Sequence, residues 1–161
     1  MELTKQTFHM MLDQIRETLR RSNGFMDVWG VDLNIIQLAR HIVSGCRGPV
    51  EESETMRQWI RQNIEYRNDP AGYELIQDPI VTLQEKAGDC DDMTILAGCM
   101  LRAIGHKCEA VAVTWAGQTD PSHAVLLDYE ARVIVDPVSS VHVQSWPPHP
   151  YAVSSLQGAS W

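Results

Sequence analysis

The chain has little of what would place it in a membrane, on a nucleic acid or in a disulfide framework. It contains no uninterrupted apolar run of about 18 residues, the length a helix needs to cross a bilayer. Its first residues, MELTKQTFHMML, lack the compact apolar stretch of a signal peptide. The expectation is a protein kept in a cytoplasm, with no membrane partner. Basic residues are scarce: 13 Lys and Arg against 21 Asp and Glu, a net charge of −8. Phosphate neutralisation needs clustered Lys and Arg, so no nucleic-acid partner is expected. The nearest basic cluster, Arg16, Arg20 and Arg21, reads as the C-terminal end of a helix. Four cysteines, at 46, 90, 99 and 108, show no tight spacing and read as free thiols. The even interval from Cys90 to Cys99 is about two and a half helical turns, so the two face opposite sides. Cys108 lies beyond a helix-ending Gly105, and no zinc site or other metal is expected. There is no internal repeat.

What is present describes one ordinary globular unit. Hydrophobic residues make up 44% and charged residues 21% of 161. Leu3, Phe8, Leu12, Ile15 and Leu19 predict a helix over residues 2–21, ended by Asn23-Gly24. A second helix is expected over 32–44 and a third over 52–66. Residues 73–86 read as a short helical or irregular approach. The strongest helix starts after Asp89 as N-cap, ends at Gly105 as C′ residue, and carries Met93, Leu96, Ala97, Met100, Leu101 and Ile104 as a buried stripe. After it the period shortens, and strands are expected over 108–115, 124–127 and 132–135. The Pro-, Ser- and Gly-rich segment 145–161 reads as loop or extended chain. This is an α+β pattern: helices first, then an antiparallel sheet packed on the central helix. One domain is expected over 1–161, with a helical N-terminal extension (1–48), a core (50–140) and an extended tail (145–161).

Chemistry concentrates at three positions. Cys90 stands where Gly88 meets the start of the central helix, and a helix N-terminus favours the thiolate. His123 opens a strand, and Asp136 precedes Pro137. Cys, His and Asp in this order supply a nucleophile, a base and an orienting carboxylate. If Tyr129-Glu130 were a two-residue turn, His123 and Asp136 would stand directly opposite each other, about 5.5 Å apart at Cβ. The oxyanion would be held by the Cys90 backbone N–H and a second donor, for which Gln84, Tyr66 and Trp59 are candidates. Asp91 and Asp92 cut the other way, since negative charge beside Cys90 raises its pKa. If they point away, His123 and the helix terminus dominate. Asp91 could instead bind substrate amines, and Trp115 could line a substrate groove or pack in the core, as could Trp146. Cys46, Cys99 and Cys108 read as small buried hydrophobes. His9, His41, His106, His142 and His149 show no partner pattern and read as solvent-facing or structural.

Gly88-Asp89-Cys90-Asp91-Asp92, followed by the Leu101-Arg102-Ala103-Ile104-Gly105 helix end, resembles the transglutaminase-like superfamily of papain-like cysteine enzymes. Trp59-Ile60, Ile64-Glu65-Tyr66-Arg67-Asn68-Asp69-Pro70, His123 and Val135-Asp136-Pro137 support the resemblance, which spans roughly residues 50–140. It implies a papain-like fold, a Cys90–His123–Asp136 triad working through a thioester, and no cofactor. It implies a protein or peptide substrate and, by preference, hydrolysis of peptide or amide bonds. Isopeptide-forming transglutamination is the first alternative. A non-catalytic structural or assembly protein is the second, docking through the N-terminal helices or the tail. The small size is similar to stand-alone bacterial and phage members, which would place the protein in a host cytoplasm or a virion. Where family members often carry an aromatic residue after the histidine, Ala124-Val125-Leu126 follow here, so groove shape does not transfer.

Overall fold

The computed structural model of the chain describes residues 30–73, 75–114, 123–140, 143–145 and 152–153. The helix expected over 2–21 lies outside them, as do Trp115 and Trp146. Helices α1 (Gly30–Ile42) and α2 (Pro49–Asn63) begin and end a few residues earlier than apolar spacing suggests. Pro49 explains the early start of α2, because its fixed φ suits the first helical position and needs no N–H donor. Met56 and Ile60 of α2 and Ile35 and Ala39 of α1 are buried in the main core.

After α2 the chain turns extended into β1 (Glu65–Tyr66). Then come α3 (Pro79–Glu85) and β2 (Ala87–Gly88), which pairs with β1 in parallel. Asp78 caps α3 by accepting the Ile80 N–H at 2.9 Å. Lys86, left-handed at φ 53°, makes the turn from α3 into β2. The helix in the 73–86 approach is therefore confined to its second half.

Helix α4 (Cys90–Ala103) has Asp89 as N-cap and Gly105 in the left-handed region at φ 103°, the signals read from the sequence. It is buried from Asp91 to Leu101, between a five-stranded antiparallel sheet on one side and α1, α2 and α3 on others. The sheet runs β6 (Gln144–Ser145), β5 (Val133–Val135), β4 (His123–Asp128), β3 (Cys108–Thr114), β7 (Ala152–Val153) in spatial order. Its α4-facing side joins the main core through Ala110, Ala124, Leu126, Val133 and Val135, while Val111, Val113, Val125, Leu127 and Ile134 form a second cluster. Buried along its whole length, β4 carries the apolar run Ala124–Leu127 between a buried His123 and a buried Asp128, as suits a strand covered on both faces. The expected α+β architecture is the one observed. The tail expected as loop or extended chain supplies β7, which pairs with the edge of β3 at Val113↔Val153.

Two local expectations are corrected. Strands β4 and β5 pair Leu126↔Val135, Leu127↔Ile134 and Asp128↔Val133, so Tyr129–Arg132, not Tyr129-Glu130, form the turn. The Asp128 Oδ1 atom accepts the N–H groups of Glu130 and Ala131 at 3.0 and 3.2 Å, and Arg132 adopts φ 57°, which favours the longer loop. The register slips by an even step, so Asp136 keeps the face it shares with His123 and becomes its diagonal neighbour. His106 is not without partners. It is buried, with Nδ1 2.6 Å from Asp128 Oδ2 and Nε2 2.9 Å from Glu52 Oε2. Ser53 Oγ donates to the same Asp128 oxygen at 2.5 Å. This cluster clasps the first turn of α2 to the end of β4. Burial pulls the His106 pKa down, but its hydrogen bonds to Asp128 and Glu52 outweigh that and raise it.

Candidate active site

Strand β2 delivers the chain to Cys90 through a tightly built turn. Asp89 Oδ1 accepts the N–H groups of Asp91 and Asp92 at 3.0 and 3.3 Å, and Asp92 Oδ2 accepts the Asp89 N–H at 3.2 Å, a reciprocal capping box. A Cβ on Gly88 would stand 2.6 Å from the Asp92 Cβ, so only glycine fits. Gln77 latches the preceding loop to the same carboxylate, its N–H and its Nε2 each donating to Asp92 at 2.8 Å. Asp92 is thus a structural hub turned into the turn. Burial, and then the Asp92 charge beside it, push the Asp89 carboxyl up to about 6.

Asp91 does not point away. The Cys90 thiol donates to Asp91 Oδ1 at 3.5 Å. Burial first, and the Asp91 charge second, push the thiol above its ordinary range, against a smaller opposite pull from the Ala124 backbone N–H. Of the two outcomes the sequence leaves open, the structure thus takes the one in which burial and an adjacent carboxylate raise the thiol pKa. The Ala124 contact places the thiol against the backbone at the start of β4.

His123 and Asp136 are both buried, and His123 Nε2 lies 2.8 Å from Asp136 Oδ2. A carboxylate only accepts, so Nε2 carries the proton. The other Asp136 oxygen accepts the N–H groups of Val138 and Ser139 at 3.1 and 3.3 Å. Helix α2 holds this loop from outside. Arg57 Nη1 donates to the Ser139 carbonyl at 2.6 Å, and Arg61 Nη1 donates to the Val138 carbonyl at 2.5 Å. Arg57 is itself gripped by Glu54 at 2.8 and 2.9 Å, and Glu54 accepts the Val143 N–H. From α4, Thr94 Oγ1 donates to the Ala124 carbonyl at 3.2 Å, tying α4 to β4. Arg57, Arg61, Gln77 and Thr94 were not singled out from the sequence. Each acts across a long stretch of chain, and nothing local marks it.

Of the remaining candidates, Tyr66 on β1 lies within electrostatic reach of Cys90. Burial, and then the charges of Cys90, Asp89, Asp91 and Asp69, push its hydroxyl up to about 12, so it stays a hydrogen-bond donor at any working pH. Gln84 is exposed on α3. Trp59 lines an open groove with His41, Ile42, Thr55, Gln58 and Gln62 between α1 and α2. All four cysteines are free, with Cys99 and Cys108 buried and Cys46 bonded to Thr55. Among the described residues, Asp89, Cys90 and Asp91 form one group of potential ligand atoms, all within 4.8 Å of one another. No helix among the described residues is long and apolar enough to cross a membrane.

No curated protein matches the chain. Among solved structures, a candidate cysteine protease from Cytophaga hutchinsonii is similar over 67% of this chain and 38% of its own, at 21% identity and TM-score 0.57. A candidate protease from Parabacteroides distasonis is similar over 86% of this chain and 31% of its own, at 16% identity and TM-score 0.56. The chain thus spans about a third of the length of these two. Calcium-bound LapG of Legionella pneumophila is similar over 84% of this chain and 81% of its own, at 17% identity and TM-score 0.57. At these identities the likeness is one of fold. The sequence pattern of the transglutaminase-like superfamily matches residues 36–161. The chain therefore belongs to the transglutaminase-like superfamily.

Proposed function

We propose that the protein is a cysteine-dependent acyl-transfer enzyme that hydrolyses peptide or amide bonds of protein or peptide substrates. The observation that carries this reading is the buried His123–Asp136 hydrogen bond at 2.8 Å, set on the strand whose next residue, Ala124, contacts the Cys90 sulfur. With Nε2 engaged by Asp136, Nδ1 is the ring nitrogen that exchanges a proton with the thiol. Because Asp91 and burial favour the neutral thiol, proton transfer to His123 accompanies attack instead of preceding it. The thiolate adds to the substrate carbonyl, and His123 returns the proton to the amine as the C–N bond breaks. Water then adds to the thioester, losing a proton to His123, and releases the acid and the thiol. The oxyanion is held by the Cys90 N–H, with the protonated Tyr66 hydroxyl favoured as second donor over Gln84 and Trp59.

One further element belongs to this reading. Asp89 and Asp91 offer hard carboxylate oxygens of the kind Ca²⁺ takes, whereas the Cys90 thiol is too soft for it. LapG is a calcium-bound relative in fold, and here a Ca²⁺ on Asp89 and Asp91 would neutralise the charge that suppresses the thiolate.

A quenched-fluorescence peptide library tests the proposal. Turnover is expected from the wild type and is lost in both Cys90→Ala and His123→Ala. Incorporation of a labelled primary amine into a glutamine peptide would instead identify a transglutaminase. Absence of both, with a stoichiometric complex that survives Cys90→Ala, would identify an assembly protein.

A further inference from the structure

Strand β1 is paired on one side only: among the described residues its sheet is the two-stranded β1–β2. The Glu65 N–H donates to the Lys86 carbonyl at 2.8 Å, and the Arg67 N–H donates to the Gly88 carbonyl at 3.0 Å. Backbone groups of successive strand residues point to opposite edges, so the N–H and C=O of Tyr66 face away from β2. Both residues of β1 are exposed. An exposed edge of this kind is a template for another extended chain. It is too short to seed aggregation and long enough to register one backbone.

Two features tie this edge to Cys90, and a third gives it apolar neighbours in sequence. Its partner β2 runs straight into Asp89 and Cys90. The Tyr66 side chain reaches the electrostatic neighbourhood of Cys90, as its raised pKa records. The loop that follows β1 carries two exposed apolar side chains, Tyr73 (66% exposed) and Leu75 (50%). That loop is fixed in place: the Leu75 N–H donates to Asp69, and Gln77 is latched to Asp92. Tyr73 and Leu75 thus present apolar surface on the loop that leads out of β1.

We propose that the outer edge of β1 is the docking strand for the substrate: an extended polypeptide segment adds alongside Tyr66 and lays apolar side chains against Tyr73 and Leu75. The substrate class is therefore an unfolded or looped protein segment rich in apolar residues, read mainly through its backbone. The purpose of the edge rests on the reading of Cys90 as nucleophile, but its test does not.

The test uses the full chain with Cys90→Ala, labelled with ¹⁵N, and the peptide acetyl-Ala-Leu-Phe-Ala-Gly-amide. The Tyr66 amide resonance shifts saturably on titration, and its hydrogen exchange slows. Strand pairing uses every second amide of the added chain. N-methylation of the peptide at either Leu or Phe, but not both alike, therefore weakens binding by about tenfold, roughly one net hydrogen bond. Tyr73→Ser and Leu75→Ser weaken binding while leaving the saturated Tyr66 shift in place. The proposal is overturned if the Tyr66 amide stays unmoved at millimolar peptide, or if both methylated peptides bind like the parent. Iodoacetamide labelling of Cys90 in the wild-type chain reports separately on the nucleophile, so the two readings fail independently.

Discussion

Replacing His106 with alanine should be among the most damaging single changes in the chain, although the residue lies outside the candidate active site. The ring bridges Asp128, whose side chain is fully buried, and Glu52, whose side chain is 26% exposed. Breaking a buried charged pair by removing one partner costs about 3–5 kcal/mol, because the other charge stays desolvated. Asp128 keeps donors from Ser53, Glu130 and Ala131, which favours the lower end. The Glu52 contact, partly in solvent, adds at most about 1 kcal/mol. A loss of about 3 kcal/mol lowers Tm by roughly 6–12 °C at this chain length. The raised pKa of His106 gives the effect a pH signature. A group whose folded pKa lies above its unfolded value stabilises fully below the unfolded value, about 6.5. That contribution is lost as pH rises through the folded value. Urea denaturation of wild type and His106→Ala between pH 5.5 and 9 measures both. The wild type should lose stability above neutrality by a margin that the variant does not show. A destabilisation below about 1 kcal/mol, or an equal pH slope in both proteins, would refute the clasp.

Four further outcomes follow from the site. Asp91→Asn should lower the Cys90 pKa and raise its iodoacetamide alkylation rate near pH 8, by about tenfold for every pH unit by which the thiol becomes more acidic; mass spectrometry of all four cysteines against pH reads this, and an unchanged rate would show that Asp91 does not act on the thiol. Thr94→Val should cost about 1–3 kcal/mol by leaving a buried carbonyl unpaired, read as a lower urea midpoint. Gly88→Ala should destabilise by about 1–3 kcal/mol through overpacking against Asp92, seen as a lower urea midpoint at unchanged m-value. Ca²⁺ should raise the Tm of the wild type and not of Asp89→Asn/Asp91→Asn, and equal shifts in both would remove Asp89 and Asp91 as ligands.

The sequence was most informative where structure is local. Helix α4 was legible because its cap, apolar stripe and terminal Gly105 lie within one continuous stretch. Strands β3 to β5 are legible as β-type runs, yet their turn is not, since the Asp128 that selects the longer loop resembles any Asp before a turn. The short parallel pair β1–β2 escaped because two residues carry no period. The sign of the change in thiol acidity was open in the sequence, as it depends on which way Asp91 points. The clamp of Arg57 and Arg61 on the loop after Asp136 could not be read at all. Those arginines occupy α2 like any surface-helix cations, and their partners are backbone carbonyls, which leave no mark on composition.

That clamp also has a consequence for how the site comes into being. The residues it joins are separated by 82 and 77 positions, among the most sequence-distant contacts in the fold. Contacts of such separation form only after the intervening chain has been ordered and its loop-closure entropy spent. Cys90 and its cap can form early, from neighbouring residues alone, but the loop that orients Asp136 on His123 cannot settle until α2 docks. During synthesis α2 and Cys90 both emerge before the loop that follows Asp136. Assembly of the oriented His123–Asp136 pair therefore reports completion of the whole fold.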